Sequence, residues 1–182
     1  MTASPRRGFT LFMTGLSGAG KSTLSERVAQ VIKSDYQRPA TILDGDIVRE
    51  MLSSGLTFSR ADRELNIRRI GYVAGEVTKH GGICICAAIA PFRTARSEVR
   101  ARISQLGGFY EVYIATPLAV CESRDPKGLY KKARRGEIKG FTGIDDPFEI
   151  PEHAEISIDT SKIAIDDAVK KILALPERDG LL

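Results

Sequence analysis

Gly15-Leu16-Ser17-Gly18-Ala19-Gly20-Lys21-Ser22, followed by Thr23, fits G-x-x-x-x-G-K-[ST] at every fixed position. Before it, Phe9–Thr14 is a short apolar run rich in β-forming residues. After it, residues 22–33 set Leu24, Val28, Val31 and Ile32 on one helix face. A strand, a glycine turn and a helix are the context that gives the pattern physical meaning. The glycines let the backbone wrap phosphate oxygens and aim amide N–H groups inward, and the helix start adds its positive end. Lys21 is expected to reach the β- and γ-phosphates, and the Ser22 hydroxyl to bind Mg²⁺. Gly15 to Thr23 is therefore the predicted ATP-binding loop.

Outward from this loop, short apolar runs alternate with helical patterns. Residues 41–43 read as a second strand ending at Asp44-Gly45-Asp46, with a short helix over 47–52. Ser59 is set to cap a helix running to Lys79, with Ile67, Ile70, Ala74 and Val77 buried and Gly81-Gly82 closing it. Residues 83–90 are continuously apolar, as in a central parallel strand. A helix over 94–106, a strand over 110–115, a helix opened by Pro117, a short strand over 155–158 and a helix over 165–173 follow. This alternation predicts an α/β fold, a P-loop NTPase-type doubly wound parallel sheet with helices on both faces, in one domain over 1–182. Ligands on such sheets bind beyond the carboxyl ends of the strands. The phosphate loop, Asp44–Asp46 and the stretch 90–93 all fall there.

Asp44 and Asp46 flank a glycine at a strand end. Phosphoryl transfer needs a positioned nucleophile, charge neutralisation and a base, and two carboxylates here divide those tasks. Arg49, Arg63, Arg68 and Arg69 come close behind. Guanidinium forks suit phosphate and sulfate, and Arg63 and Asn66 share a helix face. A solvated basic face explains the arginine spacing equally well, and Phe58 reads as either a core residue or a base-stacking surface.

From Arg124 to Lys139 there are seven basic residues and two acidic ones. The segment about 127–143 is glycine-punctuated and is read as a mobile basic lid that excludes water and supplies cations. Phe141, between Gly140 and Thr142, is placed to close on a ring.

Composition bounds the alternatives. Hydrophobic residues make up 42% and charged residues 27%, an ordinary globular balance. No apolar run reaches the roughly 18 residues of a membrane span. Arg6 and Arg7 precede no apolar stretch of leader form. The net charge of +4 is clustered, which suits a small anionic substrate better than nucleic acid. Cys84, Cys86 and Cys121 are too few and irregular for a disulfide framework. They read as buried thiols of a cytoplasmic protein, with Cys84 and Cys86 expected on opposite faces of a strand. A guanine-reading Asn/Thr-Lys-x-Asp motif is missing after the late strand, where Ile114-Ala115-Thr116-Pro117 stands, so a GTPase is disfavoured.

In this order the segments resemble the adenylyl-sulfate (APS) kinase family. The matching stretches are the phosphate loop, Leu43-Asp-Gly-Asp46 with Arg49, Gly55-Leu-Thr-Phe-Ser59, Asp62-Arg63 with Asn66-Ile-Arg-Arg69, and Ala90-Pro-Phe-Arg93. Further along come Asp125-Pro-Lys-Gly-Leu-Tyr-Lys-Lys132 and Gly140-Phe-Thr-Gly-Ile-Asp145. The last two are the most specific. The resemblance implies transfer of phosphate from ATP to the 3′-hydroxyl of adenylyl sulfate, giving 3′-phosphoadenylyl sulfate and ADP, with Mg²⁺ as cofactor. It implies Lys21, Asp44 and Asp46 as catalytic residues, Ser22 and Asp44 at the metal, and Arg124 with the loop at ATP. Asp46, Arg49, Phe58, Arg63, Asn66, Ile89, Ala90, Lys127, Gly140 and Phe141 surround the acceptor, with Phe58 and Phe141 sandwiching its adenine. It also implies a homodimer and an association with ATP sulfurylase, to which some members are fused; neither nucleic acid nor membrane is an expected partner.

Three positions depart from the family. Ala90 stands where many members carry a serine to which a phosphoenzyme is sometimes ascribed, so direct in-line transfer is expected. Ile47 replaces a common Asn and Leu65 a common Glu, changes expected to alter affinity rather than mechanism. The competing readings are another small-molecule P-loop kinase, separated by whether AMP serves as well as adenylyl sulfate, and a nucleotide-binding regulatory domain, which intact Lys21, Ser22 and Asp44 disfavour.

Overall fold

The computed structural model describes residues 7–182; the reading of the first six residues lies outside it. Five parallel strands form the sheet: β1 (Phe9–Thr14), β2 (Ala40–Asp44), β3 (Ile83–Ala87), β4 (Gly108–Ile114) and β5 (Ile156–Ile158), in the order β2-β3-β1-β4-β5. The helices are α1 (Lys21–Tyr36), α2 (Gly45–Met51), α3 (Arg60–Lys79), α4 (Arg93–Ile103), α5 (Leu118–Arg124), α6 (Leu129–Arg134) and α7 (Ile165–Arg178).

Strand alternation sorts the core into two layers. Phe9, Leu11 and Met13 join Ile83, Ile85, Val112 and Ile114 on the face covered by α1 and α7. Phe12, Cys84, Cys86 and Phe109 face α3 and α4. Cys84 and Cys86 thus share a face, their sulfurs 4.0 Å apart, contrary to the sequence expectation. A strand repeats every two residues, so positions i and i+2 point the same way. All three thiols are free and buried.

Three boundaries differ from the sequence reading for physical reasons. β3 stops at Ala87 rather than residue 90 because the start of the phosphate loop takes over its carbonyls. Ala88 N donates to Met13 O, and both Thr14 Oγ1 (2.6 Å) and Gly15 N (3.4 Å) donate to Ile89 O. The last helix continues to Arg178 through Pro176, whose ring is buried; Tyr36 binds Glu177, Tyr110 binds Asp179 and Arg38 binds the Leu181 carbonyl, pinning that end to the body. The basic segment contains a helix, α6, that composition hid. Gly128 opens it at φ 66°, and the Asp125 carboxylate accepts from Tyr130 N and Lys131 N, each at 3.0 Å.

Because all strands run the same way, their carboxyl ends gather the β1–α1 loop, Asp44 and the stretch after β3 along one edge.

Candidate active site

The phosphate loop takes the shape its glycines permit. Gly18 and Gly20 sit at φ 71° and 106°, backbone that a side chain rarely adopts. A Cβ at Gly20 would press on the Thr160 side chain at 3.2 Å. Lys21 opens α1 and folds back over the loop, with Nζ donating to Gly15 O (2.9 Å) and Leu16 O (2.7 Å). Burial pulls its pKa down to about 8, against the opposing pull of Cys121, Asp44 and Asp46. The ammonium is therefore a desolvated cation waiting for an anion.

Across from the loop, the Asp44 carboxylate does two things. Its Oδ1 accepts from Asp46 N (2.9 Å), capping α2, and its Oδ2 accepts the Ser22 hydroxyl at 2.7 Å. A hydroxyl and a carboxylate touching at the rim of a phosphate loop are hard oxygen donors. They fit Mg²⁺, which keeps several waters and takes one or two protein groups plus phosphate oxygens. Asp46 forms an ion pair with Lys127 over the mouth.

The opposite wall is built by α2, α3 and the segment 140–146. Arg49 stacks on the Phe58 ring, 4.3 Å from its centroid, and donates to Thr57 O. Phe58 is 67% exposed, so it is a surface ring and not core. The turn before α3 is held by a capping pair: Ser59 Oγ accepts from Asp62 N, and the Asp62 carboxylate accepts from Thr57 N at 2.8 Å. Arg63, nearly buried, donates to Phe58 O, Thr142 Oγ1, Asp146 and Gly140 O. Three of these four bonds join α3 to the strap that carries Phe141, and the fourth holds the turn before α3. The Asp145 carboxylate turns that strap by accepting from Gly140 N and Phe141 N. Asn66 is 4% exposed and its Oδ1 has no partner. An orphaned buried amide oxygen is costly, which marks Asn66 as set for a ligand donor.

These groups line one cavity of about 840 Å³, at the upper end of ligand-pocket sizes. It is bounded by Ser17, Gly18, Gly20, Lys21, Ser22 and Thr23 on one side. Asp44, Asp46, Arg49, Phe58, Arg63, Asn66, Ile89, Ala90, Arg124, Lys127, Gly140 and Phe141 also line it. Gly15, Leu16 and Ala19 shape the loop without facing the cavity. Ile47 and Leu65 are exposed away from it, and Arg68 and Arg69 bind Glu98 and the Leu52 carbonyl instead. Of the basic segment, Arg124, Lys127 and Lys139 line the cavity, whereas Lys131, Lys132, Arg134 and Arg135 do not. Ala90, with φ 45°, is a buried non-glycine residue in left-handed backbone.

Sequence reading missed the far end of the cavity. Thr160, Ile163, Ile165 and Ala168 line it, and the Thr116 and Thr160 hydroxyls both meet Ala19 O at 2.9 Å. Arg124 donates to Thr160 Oγ1 at 2.8 Å. The signal was present: residues 159–163 follow the carboxyl end of β5, where the strand-end rule puts ligands.

A parallel sheet with a glycine-rich phosphate loop between its central strand and α1, and an acidic edge opposite, defines the P-loop class of nucleotide-binding proteins. Within that class the chain belongs to the adenylylsulphate kinase family, whose model matches residues 7–159. The adenylyl-sulfate kinase of Gloeothece citriformis is 52% identical over 97% of this chain and 98% of its own length. The structure of the Mycobacterium tuberculosis APS kinase in complex with AMPPNP and APS superposes with a TM-score of 0.90 at 40% identity, covering 95% of this chain and 99% of that one. The sulfate adenylyltransferase of Phaeosphaeria nodorum matches 97% of this chain at 46% identity, over 31% of its own length.

Proposed function

We propose that this protein transfers the γ-phosphoryl group of ATP to the 3′-hydroxyl of adenylyl sulfate. The observation that carries the reading is the continuity of one cavity from the phosphate loop to the arginine, amide and aromatic wall. Family membership, and the ATP analogue AMPPNP and APS bound in the related Mycobacterium tuberculosis structure, support the choice of donor and acceptor.

In this reading the loop amides and Lys21 gather the triphosphate, and Arg124 borders the nucleoside end. Ser22 and Asp44 would hold Mg²⁺, which when bound supplies charge neutralisation to the phosphate oxygens. Phe58 and Phe141 flank the acceptor adenine, while Arg49, Arg63, Asn66 and Lys127 line its polar side. The strap and basic segment close over both substrates and keep water from the γ-phosphorus. The ribose 3′-oxygen attacks in line and a new O–P bond forms. The bond to the β-phosphate oxygen breaks, ADP departs, and Asp44 takes the hydroxyl proton with Asp46 beside it. Ala90 has no oxygen to carry phosphate, so no phosphoenzyme intervenes. Quenching a turnover mixture with radiolabelled ATP should leave no label on the protein; stoichiometric label would remove direct transfer.

The same reading makes the protein a cytoplasmic homodimer working beside an ATP sulfurylase. No helix among the described residues is long and apolar enough to cross a membrane, and three reduced, buried thiols suit a reducing compartment. Exposed Met51, Leu52 and Tyr72 suit a self-contact; light scattering that finds only monomer at micromolar concentration would remove the dimer. The deciding experiment is ADP release with adenylyl sulfate, AMP or buffer as acceptor. Adenylyl sulfate alone should drive turnover; equal rates with AMP would overturn the acceptor assignment.

A further inference from the structure

Tyr130 is 1% exposed yet belongs to the basic segment, where an aromatic core residue is unexpected. Its hydroxyl donates to Ser17 O of the phosphate loop at 2.9 Å. Its ring meets Phe141 edge to face, centroids 5.0 Å apart and planes at 80°. One side chain therefore touches the back of the nucleotide loop and the ring of the acceptor strap.

The peptide joining Ser17 and Gly18 is planar and trans, so its C=O and N–H point in opposite directions. The carbonyl faces Tyr130, which turns the Gly18 N–H away from Tyr130, and Gly18 lines the cavity. A phosphate oxygen accepting from that N–H polarises the same peptide unit and makes its carbonyl a better acceptor, as in any hydrogen-bonded chain. Occupation of the loop thereby tightens the Tyr130 hydroxyl bond and, through the ring contact, fixes Phe141. Between Tyr130 and Phe141 the backbone is left-handed at Gly136 (φ 73°) and Gly140 (φ 67°).

We propose that Tyr130 is a positioning residue that couples nucleotide occupancy of the phosphate loop to the aromatic clamp on the acceptor. The inference rests on the assignment of adenylyl sulfate to the Phe141 side. Tyr130 touches neither substrate; it acts through Ser17 O and the Phe141 ring.

The test measures the dissociation constant of adenylyl sulfate by calorimetry, with and without saturating Mg-ADP, for the wild type and Tyr130→Phe. The ring is kept and only the donor is lost. Mg-ADP should tighten adenylyl sulfate binding to the wild type. That tightening should shrink by roughly threefold to tenfold in the variant, the worth of one neutral hydrogen bond, while affinity without nucleotide stays unchanged. Equal tightening in both proteins, or none in the wild type, overturns the coupling. Failure of the wild type to bind adenylyl sulfate under any condition overturns the function reading instead, and the coupling with it. A second measurement needs no variant: hydrogen exchange at the Gly140 and Phe141 amides of the wild type should slow when Mg-ADP is added without acceptor. Unchanged exchange there overturns the proposal.

Discussion

Lys21 carries a consequence in pH. Its ordinary pKa of 10.5 is pulled down to about 8 by burial in the free protein, and phosphate charge beside it pushes it back up. Below about pH 7 the ammonium is present with or without nucleotide, so binding moves no proton at this site. Above pH 8 the free protein has shed that proton, and nucleotide binding must take one up. Calorimetry of Mg-ATP binding at pH 9 in buffers of different ionisation enthalpy should show uptake approaching one proton, and at pH 6.5 none from this residue. Affinity should fall as pH rises past 8. Stability runs the other way: the unfolded chain holds this proton up to 10.5 and the fold only to about 8. The burial penalty is therefore fully present below pH 8 and fades between these values. Lys21→Ala should remove the uptake and lower turnover by at least about a hundredfold, the usual cost of losing one donor to developing charge. The residue is legible in sequence because the motif prescribes it. Its depressed pKa is not, since that comes from burial, which only the folded chain creates.

At the scale of elements, the stretch after β3 is fixed from behind by α4 and β4. Arg96, 3% exposed, donates to Ala90 O (2.7 Å) and Glu149 O (2.6 Å), and its Nε lies 2.9 Å from Glu111. Arg100 extends the pair to Glu155 at 2.6 Å. Removing Arg96 leaves the interior Glu111 with only its 3.2 Å contact to Arg100. Arg96→Met should therefore cost about 3–5 kcal/mol in urea unfolding, and adding Glu111→Leu should recover much of the loss. A double variant no more stable than Arg96→Met would contradict this reading. The element pattern was legible where periodicity and glycine spoke: β1, α1, Ser59 capping α3, and the strand-end clustering. It failed where one residue overrode composition. Asp125 and Gly128 nucleate α6 inside a run of charges that reads as loop, and the bonds from Thr14 and Gly15 to Ile89 end β3 while the sequence is still apolar. The Arg96–Glu111 pair was invisible because it joins charges 15 positions apart on different elements, with nothing local to signal it.

Across the whole molecule, both predicted substrate sides converge on one sheet edge, so ligand binding reports on global stability. Mg-ATP at about a hundred times its dissociation constant should add about 2.7 kcal/mol. For a chain of this size that raises the unfolding midpoint by roughly 5–10 °C. The shift should be measurable by calorimetric scanning and should shrink in Lys21→Ala; an equal shift in that variant would mean the nucleotide sits elsewhere. Family and fold were legible from short motifs because parallel strands oblige them to meet at one edge. The cavity-lining residues Thr160 and Ile163 were missed, because they sit in no recognisable motif and join the cavity only through the end of β5. The four bonds of Arg63 reach a different kind of outcome, an evolutionary one. Three of them bind position 63 to positions 140, 142 and 146, and no lysine supplies that planar fork. Drift at position 63, 142 or 146 leaves a buried donor or acceptor stranded, so α3 and the strap should be inherited as a block. Descendants that retune the acceptor would change Arg49 or Phe58 on the exposed rim long before they change the guanidinium beneath.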